Sequence, residues 1–150
     1  CRAELIEREI GDAIRRCCPG AACDFVHWNN PVPVVAVIVE TPDGVLLAHN
    51  KSWPASWYSV ITGFLEAGET PEECARREAR EETGLETSAA AFIGIYPFHE
   101  KNQLILAYHV RAQGPVTLNE ELDDYKIIPK TELKGWNSAT GRAVQDWLKQ

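Results

Sequence analysis

Three glutamates lie close enough along the chain to act together: Glu78, Glu81 and Glu82. On a helix, positions related by i, i+3 and i+4 share one face within about one turn. Like charges at that spacing repel mildly, and a solvated acidic face relieves them with neighbouring bases, as Arg76, Arg77 and Arg80 do here. The same face also suits a hard divalent cation. Clustered carboxylate oxygens bind Mg²⁺ or Mn²⁺, and Mg²⁺ completes its shell with waters and phosphate oxygens of a ligand. The chemistry within reach of such a face is the handling of a phosphate-bearing molecule through metal.

The element that must position these carboxylates announces both of its ends. Thr70 is a good N-cap, Pro71 suits the first helical position, and Glu73 follows the cap by three residues. Together they make a capping box with an N1 proline. The helix is expected to run to about Thr83, with Gly84 at the left-handed position that ends it. Ala75 and Ala79, at i and i+4 on a neighbouring face, leave room for close packing on a sheet.

The whole stretch from Gly63 to Leu85 reads GFLEAGETPEECARREAREETGL. Its fixed points are Gly63, Glu69, and then Arg77-Glu78-Ala79-Arg80-Glu81-Glu82-Thr83-Gly84-Leu85. This pattern resembles a complete Nudix box, with Ala79 smaller than the usual aliphatic. The resemblance implies a Nudix α/β/α sandwich, an α/β fold with a mixed sheet, and hydrolysis of a nucleoside diphosphate linked to another group with Mg²⁺ or Mn²⁺. It further implies Glu78 and Glu82 as principal metal ligands with the Gly63 carbonyl, and Glu81 as a further ligand or the base. Arg77 then orients a carboxylate and Glu69 is structural in the loop. Many Nudix hydrolases take one more carboxylate from a later loop. The acidic run Asn119 to Asp124 supplies Glu121 first and Glu120 second, and Glu121 competes with Glu81 for the role of base.

Composition sets bounds around this. A chain of 150 residues, 45% hydrophobic and 25% charged, is ordinary for a domain with a core. The formal charge of −7, from 22 acidic and 15 basic residues, argues against extended nucleic acid or a membrane surface as partner. It allows a small nucleotide whose phosphates meet metal. No apolar run approaches the roughly 18 residues of a membrane span, and no signal peptide is visible, so the expected compartment is the cytoplasm.

Residues 1–30 are set apart by cysteines, with Cys1, Cys17, Cys18 and Cys23 all lying there. LIEREIGDAIRRC carries apolar residues at roughly helical spacing, yet it also reads as a hairpin turning at Gly11-Asp12. The cysteines, followed by FVHWNNPVPVV, resemble the second half of the zinc ribbon in the NADH-pyrophosphatase branch of the Nudix family. A ribbon needs two C-x₂-C pairs, and the looser spacing here reads as a partial or degenerate ribbon. Cys1, Cys18 and Cys23 could still hold Zn²⁺ with a fourth ligand from elsewhere. The ribbon-bearing relatives also suggest a homodimer.

Asn29-Asn30-Pro31 reads as a boundary, with residues 31–150 forming the Nudix domain. Pro33 to Glu40 is expected to be a buried strand, Thr41 to Gly44 a turn, and Val45 to His49 the return strand with His49 at the surface. In the loop KSWPASWY, Trp57 either packs under the sheet or stacks on a nucleobase. YSVITGF resembles the strand leading into the box in the NADH-pyrophosphatase and ADP-ribose branches, where a Gly-Phe pair, here Gly63-Phe64, opens the catalytic loop.

Strands are expected from Thr87 to Phe98, from Gln103 to Arg111 and from Tyr125 to Ile128. Between the first two, YPFHEKNQ departs from the Ser-Gln-Pro-Trp-Pro-Phe-Pro array of the NADH branch. Only Pro97 matches, and Phe98 stands where that array has tryptophan. His99 to Gln103 look closer to relatives acting on other dinucleotides or ADP-ribose, which makes Phe98 and His99 candidates for substrate contact. Ser138 is expected to cap a final helix whose stripe of Val144, Trp147 and Leu148 packs on the core.

The leading expectation is therefore a Mg²⁺-dependent pyrophosphohydrolase of a dinucleotide such as NADH, or of ADP-ribose. A nucleoside triphosphate or oxidised-nucleotide sanitiser is the alternative within the enzymes. A non-catalytic nucleotide sensor is the alternative outside them, although sensors commonly lose box carboxylates and this chain keeps all three. Work on a 5′ cap dinucleotide is compatible with the negative charge.

Overall fold

The run beginning at Val32 has no helical period and is apolar on both sides, as a strand buried on both faces must be. In the computed structural model, which describes residues 1–150, it forms the central strand of a seven-stranded mixed sheet. The chain divides into two compact units, Cys1–Pro31 and Val32–Gln150.

The second unit holds the sheet. Strand β4 (Val32–Thr41) pairs with β5 (Gly44–Asn50) and β6 (Ile61–Phe64), both antiparallel, and with β9 (Gln103–Gln113), parallel. β8 (Ala91–Phe98) and the short β7 (Glu86–Thr87) pair with β9, and β10 (Leu122–Ile128) lies along β5. Two expected strands change shape. The stretch from Thr87 to Phe98 is broken into β7 and β8, with Ala89 and Ala90 between them outside any strand. The acidic run is shorter than expected as a loop, because β10 begins at Leu122 and takes in Asp123 and Asp124.

The alternation of β4 decides where the helices go. Val35, Val37 and Val39 share one core with Cys74, Ala75 and Ala79 of α1 (Pro71–Thr83). Val34, Ala36 and Ile38 face the other way and share a second core with Ala139, Val144 and Trp147 of α2 (Ala139–Trp147). The result is the expected α/β/α sandwich, one helix on each side of the sheet. Fully burying a Val or Ile side chain contributes about 1.5–3 kcal/mol, against about 0–1 kcal/mol for a surface ion pair, so these two cores fix the layers. Helix α1 starts and stops as its ends predict. Thr70 accepts from the Glu73 amide, the Glu73 carboxylate accepts from the Thr70 amide, and Gly84 ends the helix at φ 70°.

The first unit is a three-stranded antiparallel sheet of β1 (Ile6–Ile10), β2 (Ala13–Cys17) and β3 (Val26–His27). Of the two expectations for this stretch, the hairpin is the one observed. Gly11, at φ 67°, occupies the first of two loop residues, where a type II′ hairpin takes glycine. Glu7 opposite Arg16 adds a favourable cross-strand pair.

Candidate active site

Gly63 stands on β6 opposite Val35 of β4, and α1 crosses above it. A Cβ built on Gly63 would overlap the Glu78 carboxyl group. Only glycine leaves room there, and its lack of a side chain brings backbone and carboxylate into contact. The cavity that opens beside them has a volume of about 490 Å³. Glu78, Glu81 and Glu82 reach it from α1, Glu121 from the segment before β10, Phe64 from the end of β6 and Gln103 from the start of β9. A larger recess of about 670 Å³ lies at the opposite ends of β4 and β9, where only Glu40 and Glu86 bring carboxylates. The gathered carboxylates, not the volume, single out the first.

Arg77 organises this side of α1. Its Nε and one terminal nitrogen grip the two Glu69 oxygens at 3.1 and 2.7 Å. The other terminal nitrogen donates to Glu78 at 2.8 Å and to Glu81 at 3.1 Å. The nitrogen on Glu69 also donates to the Phe64 carbonyl at 3.2 Å. Such forked, charge-assisted bonds set direction as well as strength. Glu69 in turn accepts from the Glu66 amide at 2.7 Å, which braces the loop between Phe64 and Thr70. The Arg77 guanidinium and the Glu66 amide hold the Glu69 carboxyl down at about 2. Glu69 therefore stays charged, and one arginine ties the loop, the strand end and two site carboxylates together.

Glu82 has no such partner. It is buried, 8% exposed, and burial pushes its carboxyl up to about 8, with the charges of Glu78, Glu121 and Glu81 adding to the effect. Burial likewise raises Glu78 against the opposing pull of Arg77. A positive charge beside a buried carboxylate raised in this way would favour its ionised form. The donor set fits a hard divalent cation, since all of its members are oxygens and Arg77 leaves the Glu82 carboxylate free. Glu78, Glu82 and Glu121, with the Gly63 carbonyl, are the residues that would hold one. A bound cation would neutralise phosphate charge and acidify an attacking water.

The raised Glu82 gives a pH prediction. A carboxyl pushed above its ordinary value favours the metal-free fold below that value, and this contribution is lost as pH rises through about 8. A cation reverses the balance by requiring the charged form. At pH 7, Mg²⁺ binding is therefore expected to release about one proton per chain, with affinity rising up to about pH 8. Calorimetric titrations in buffers of different ionisation heat measure this, and an identical heat in every buffer would contradict it.

The structure sorts the other candidates. Phe64 is 59% exposed at the cavity and presents a free aromatic face there. Trp57 is 62% exposed, so it does not pack under the sheet, and it lies outside the cavity lining. Phe98 packs against the α2 core, and the exposed His99 begins a 3-10 turn (His99–Lys101); neither lines the cavity. His49 is not a surface residue. It is 7% exposed, with Nδ1 2.5 Å from Asp123 and Nε2 3.2 Å from the Pro54 carbonyl, because β10 and the 51–58 loop close over it. Five lining residues were missed by sequence reasoning: Val34, Thr62, Glu66, Gln103 and Asn119. Asn119 carried a usable signal, since an asparagine two residues before the candidate glutamate is an Asx-turn residue. Gln103 closed the stretch His99 to Gln103 that set this chain apart from the NADH branch, Thr62 and Glu66 flank the Gly63-Phe64 pair, and Val34 carried no signal.

A mixed sheet between two helices, with carboxylates from a capped helix gathered on a glycine of a sheet strand, defines the class of domain. The NUDIX domain family matches residues 30–147. The NAD-capped RNA hydrolase NudC of Vibrio atlanticus is 35% identical over 113 residues, which is 74% of this chain and 42% of that protein. NudC of Pseudomonas putida is 30% identical over 84% of this chain and 46% of its own length. Among solved structures, a Nudix hydrolase from Nitrosomonas europaea shares the fold with a TM-score of 0.82, over 99% of this chain and 88% of that one, at 23% identity. An ADP-ribose pyrophosphatase from Streptococcus suis does so at 0.65, over 80% and 91%, at 16% identity. The chain belongs to the Nudix hydrolase family. It spans less than half the length of these two curated relatives, and none of its helices is long and apolar enough to cross a membrane.

Proposed function

We propose that this chain is a Mg²⁺- or Mn²⁺-dependent pyrophosphohydrolase that cleaves the diphosphate of an NAD-type dinucleotide, free or as the 5′ cap of an RNA. The observation that carries the proposal is the convergence of Glu78, Glu82 and Glu121 on one cavity beside the Gly63 backbone, with the Phe64 ring exposed at the same cavity. The carboxylates suit a cation between them and a diphosphate, and the ring suits a base, since stacking on an aromatic is worth about 1–3 kcal/mol. The dinucleotide class is supported by the NudC relatives, which are named for NAD-capped RNA. The net charge of −7 favours contact with the cap over contact with a long RNA. In this reading Glu81 or Glu121 serves as base, and Arg77 orients Glu78 and Glu81.

The proposal includes Zn²⁺ at Cys1, Cys18 and Cys23, whose sulfurs lie within 4.8 Å of one another. A tetrahedral site with Zn–S bonds of about 2.3 Å holds its sulfurs about 3.8 Å apart; Cys1 and Cys18 already bring theirs to 3.3 Å, and a fourth ligand would come from elsewhere. The Gly20 amide already points at the Cys18 sulfur, 3.4 Å away, and the Phe25 backbone amide lowers the Cys23 thiol from its ordinary value. The lowering at Cys23 favours the thiolate form a metal needs. The cytoplasm, where such thiols stay reduced, is the compartment this reading assigns, and the resemblance to ribbon-bearing relatives adds a homodimer to it.

The test is a hydrolysis panel with Mg²⁺ or Mn²⁺: NADH, NAD⁺, ADP-ribose, FAD, a diadenosine polyphosphate, dGTP and an NAD-capped RNA. One dinucleotide is expected to yield its two mononucleotides well ahead of the rest, and EDTA is expected to stop the reaction. Turnover of dGTP alone would replace the reading with the triphosphate alternative.

A further inference from the structure

We propose that Asn119 is a positioning residue for Glu121, holding it at the cavity by a side-chain clamp on its backbone. This rests on the reading of the carboxylate cavity given above. Glu121 is exposed and belongs to no helix or strand, so nothing in its own local structure fixes where its carboxylate goes. Ordering such a residue costs conformational entropy that other contacts must offset. The contacts are present on both of its peptide groups. The Asn119 side-chain oxygen accepts from the Glu121 amide at 3.0 Å and from the Leu122 amide at 3.3 Å. The Glu121 carbonyl accepts from the Lys51 amide at 3.1 Å, and the Lys51 ammonium reaches the Glu120 carbonyl.

The clamp is itself tied to the helix that carries the other carboxylates. The Asn119 amide donates to the Glu82 carbonyl at 3.3 Å, and the Thr117 amide donates to the Thr83 carbonyl at 2.8 Å. These are carbonyls of the last turn of α1, which have no partners within the helix. One residue thus bonds by its backbone to Glu82 and by its side chain to Glu121. It sets the spacing between the buried and the exposed member of the carboxylate group. Only a short side chain with an acceptor can do both, which asparagine provides and alanine does not.

The test pairs kinetics with amide exchange. Asn119→Ala is expected to lower kcat about tenfold with KM within about twofold, the pattern of a misplaced group. In a Glu121→Gln background the same change is expected to cost nothing further, since a residue acting through Glu121 has nothing left to position. Losses that multiply would overturn the proposal, as would an unchanged kcat. Asn119→Ser keeps a short acceptor and is expected to recover part of the rate, which serves if the alanine variant does not fold. Independently of turnover, the Glu121 and Leu122 amides are expected to exchange slowly in the wild type and faster in Asn119→Ala. Equal exchange in both would sink the clamp. Wild-type protein that hydrolyses nothing on the panel would sink the proposed function instead, and the exchange measurement would still decide this one.

Discussion

Glu82→Gln is expected to lower turnover by at least about a hundredfold while the protein stays folded, because a carboxylate lost from a charge-neutralising site acts chiefly in the transition state. Glutamine keeps the shape and one acceptor oxygen but removes the charge a cation needs. The stability arm of this prediction has the opposite sign from most core substitutions. Glu82 is buried, and no hydrogen bond from Arg77 reaches it. Ionising it in the metal-free protein therefore opposes folding, increasingly so as pH rises through about 8. The metal-free variant is expected to melt no lower than the metal-free wild type at pH 8 and above. Steady-state rates with Mg²⁺ and melting curves with EDTA measure both arms. Near-normal turnover with a normal melting curve would remove Glu82 from the site.

Gly63→Ala is the second large effect, and it separates activity from stability by a different route. Gly63 lies in β6 with ordinary extended backbone, since its φ is not positive, so alanine carries no backbone strain there. The cost is a collision with the Glu78 carboxyl group, which occupies the space a Cβ needs. Glu78 is held at the other side by Arg77 at 2.8 Å, so it cannot swing aside without breaking that bond. A displacement of about 1 Å in a positioned group can cost a hundredfold in rate, and a loss of that order is expected. The melting temperature is expected to fall by roughly 3–12 °C, since one charge-assisted bond between largely buried groups is worth about 1.5–3 kcal/mol and each kcal/mol shifts a domain of this size by about 2–4 °C. A variant with full activity would show that the close approach of Gly63 and Glu78 does not matter to catalysis.

The two helices and the central strand were legible because each carries its own local chemistry. Thr70, Pro71, Glu73 and Gly84 mark the ends of α1 without help from the rest of the chain, and Ser138 does so for α2. The valine run of β4 admits no other use. The residues that line the cavity were legible within one segment, from Gly63 to Glu82, and at Glu121, where an acidic run and a family resemblance pointed to it. Beyond that, tertiary pairing decides. His49 looked like the polar end of a strand, yet Asp123 and the Pro54 carbonyl satisfy it inside the fold. Gln103 enters the cavity because β9 lies parallel to β4, a pairing that no neighbour in sequence specifies. Trp57 was weighed as an aromatic residue in a loop and Phe98 as one at the end of a strand, and their exposure and direction depend on which face of the sheet receives them. The break of β8 from β7 has no sequence marker stronger than a run of serine and alanine.

The parallel pairing of β4 with β9 also has a consequence in time. Val32 and Gln103 become neighbours across some seventy residues of chain, and Leu122 must find Asn50 over a similar distance. Contacts that join distant segments require loop closure before they repay it, and topologies built on them fold slowly. Gly63 and Glu78 lie only fifteen residues apart and meet through a local contact of β6 with α1. Glu121 is different, since it is placed beside them by the segment leading into the long-range pairing of β10 with β5. The carboxylate group therefore joins a local part, from Gly63 to Glu82, to one member supplied from far along the chain, and a ribosome-bound chain that stops before Glu121 would carry the helix without that fourth carboxylate.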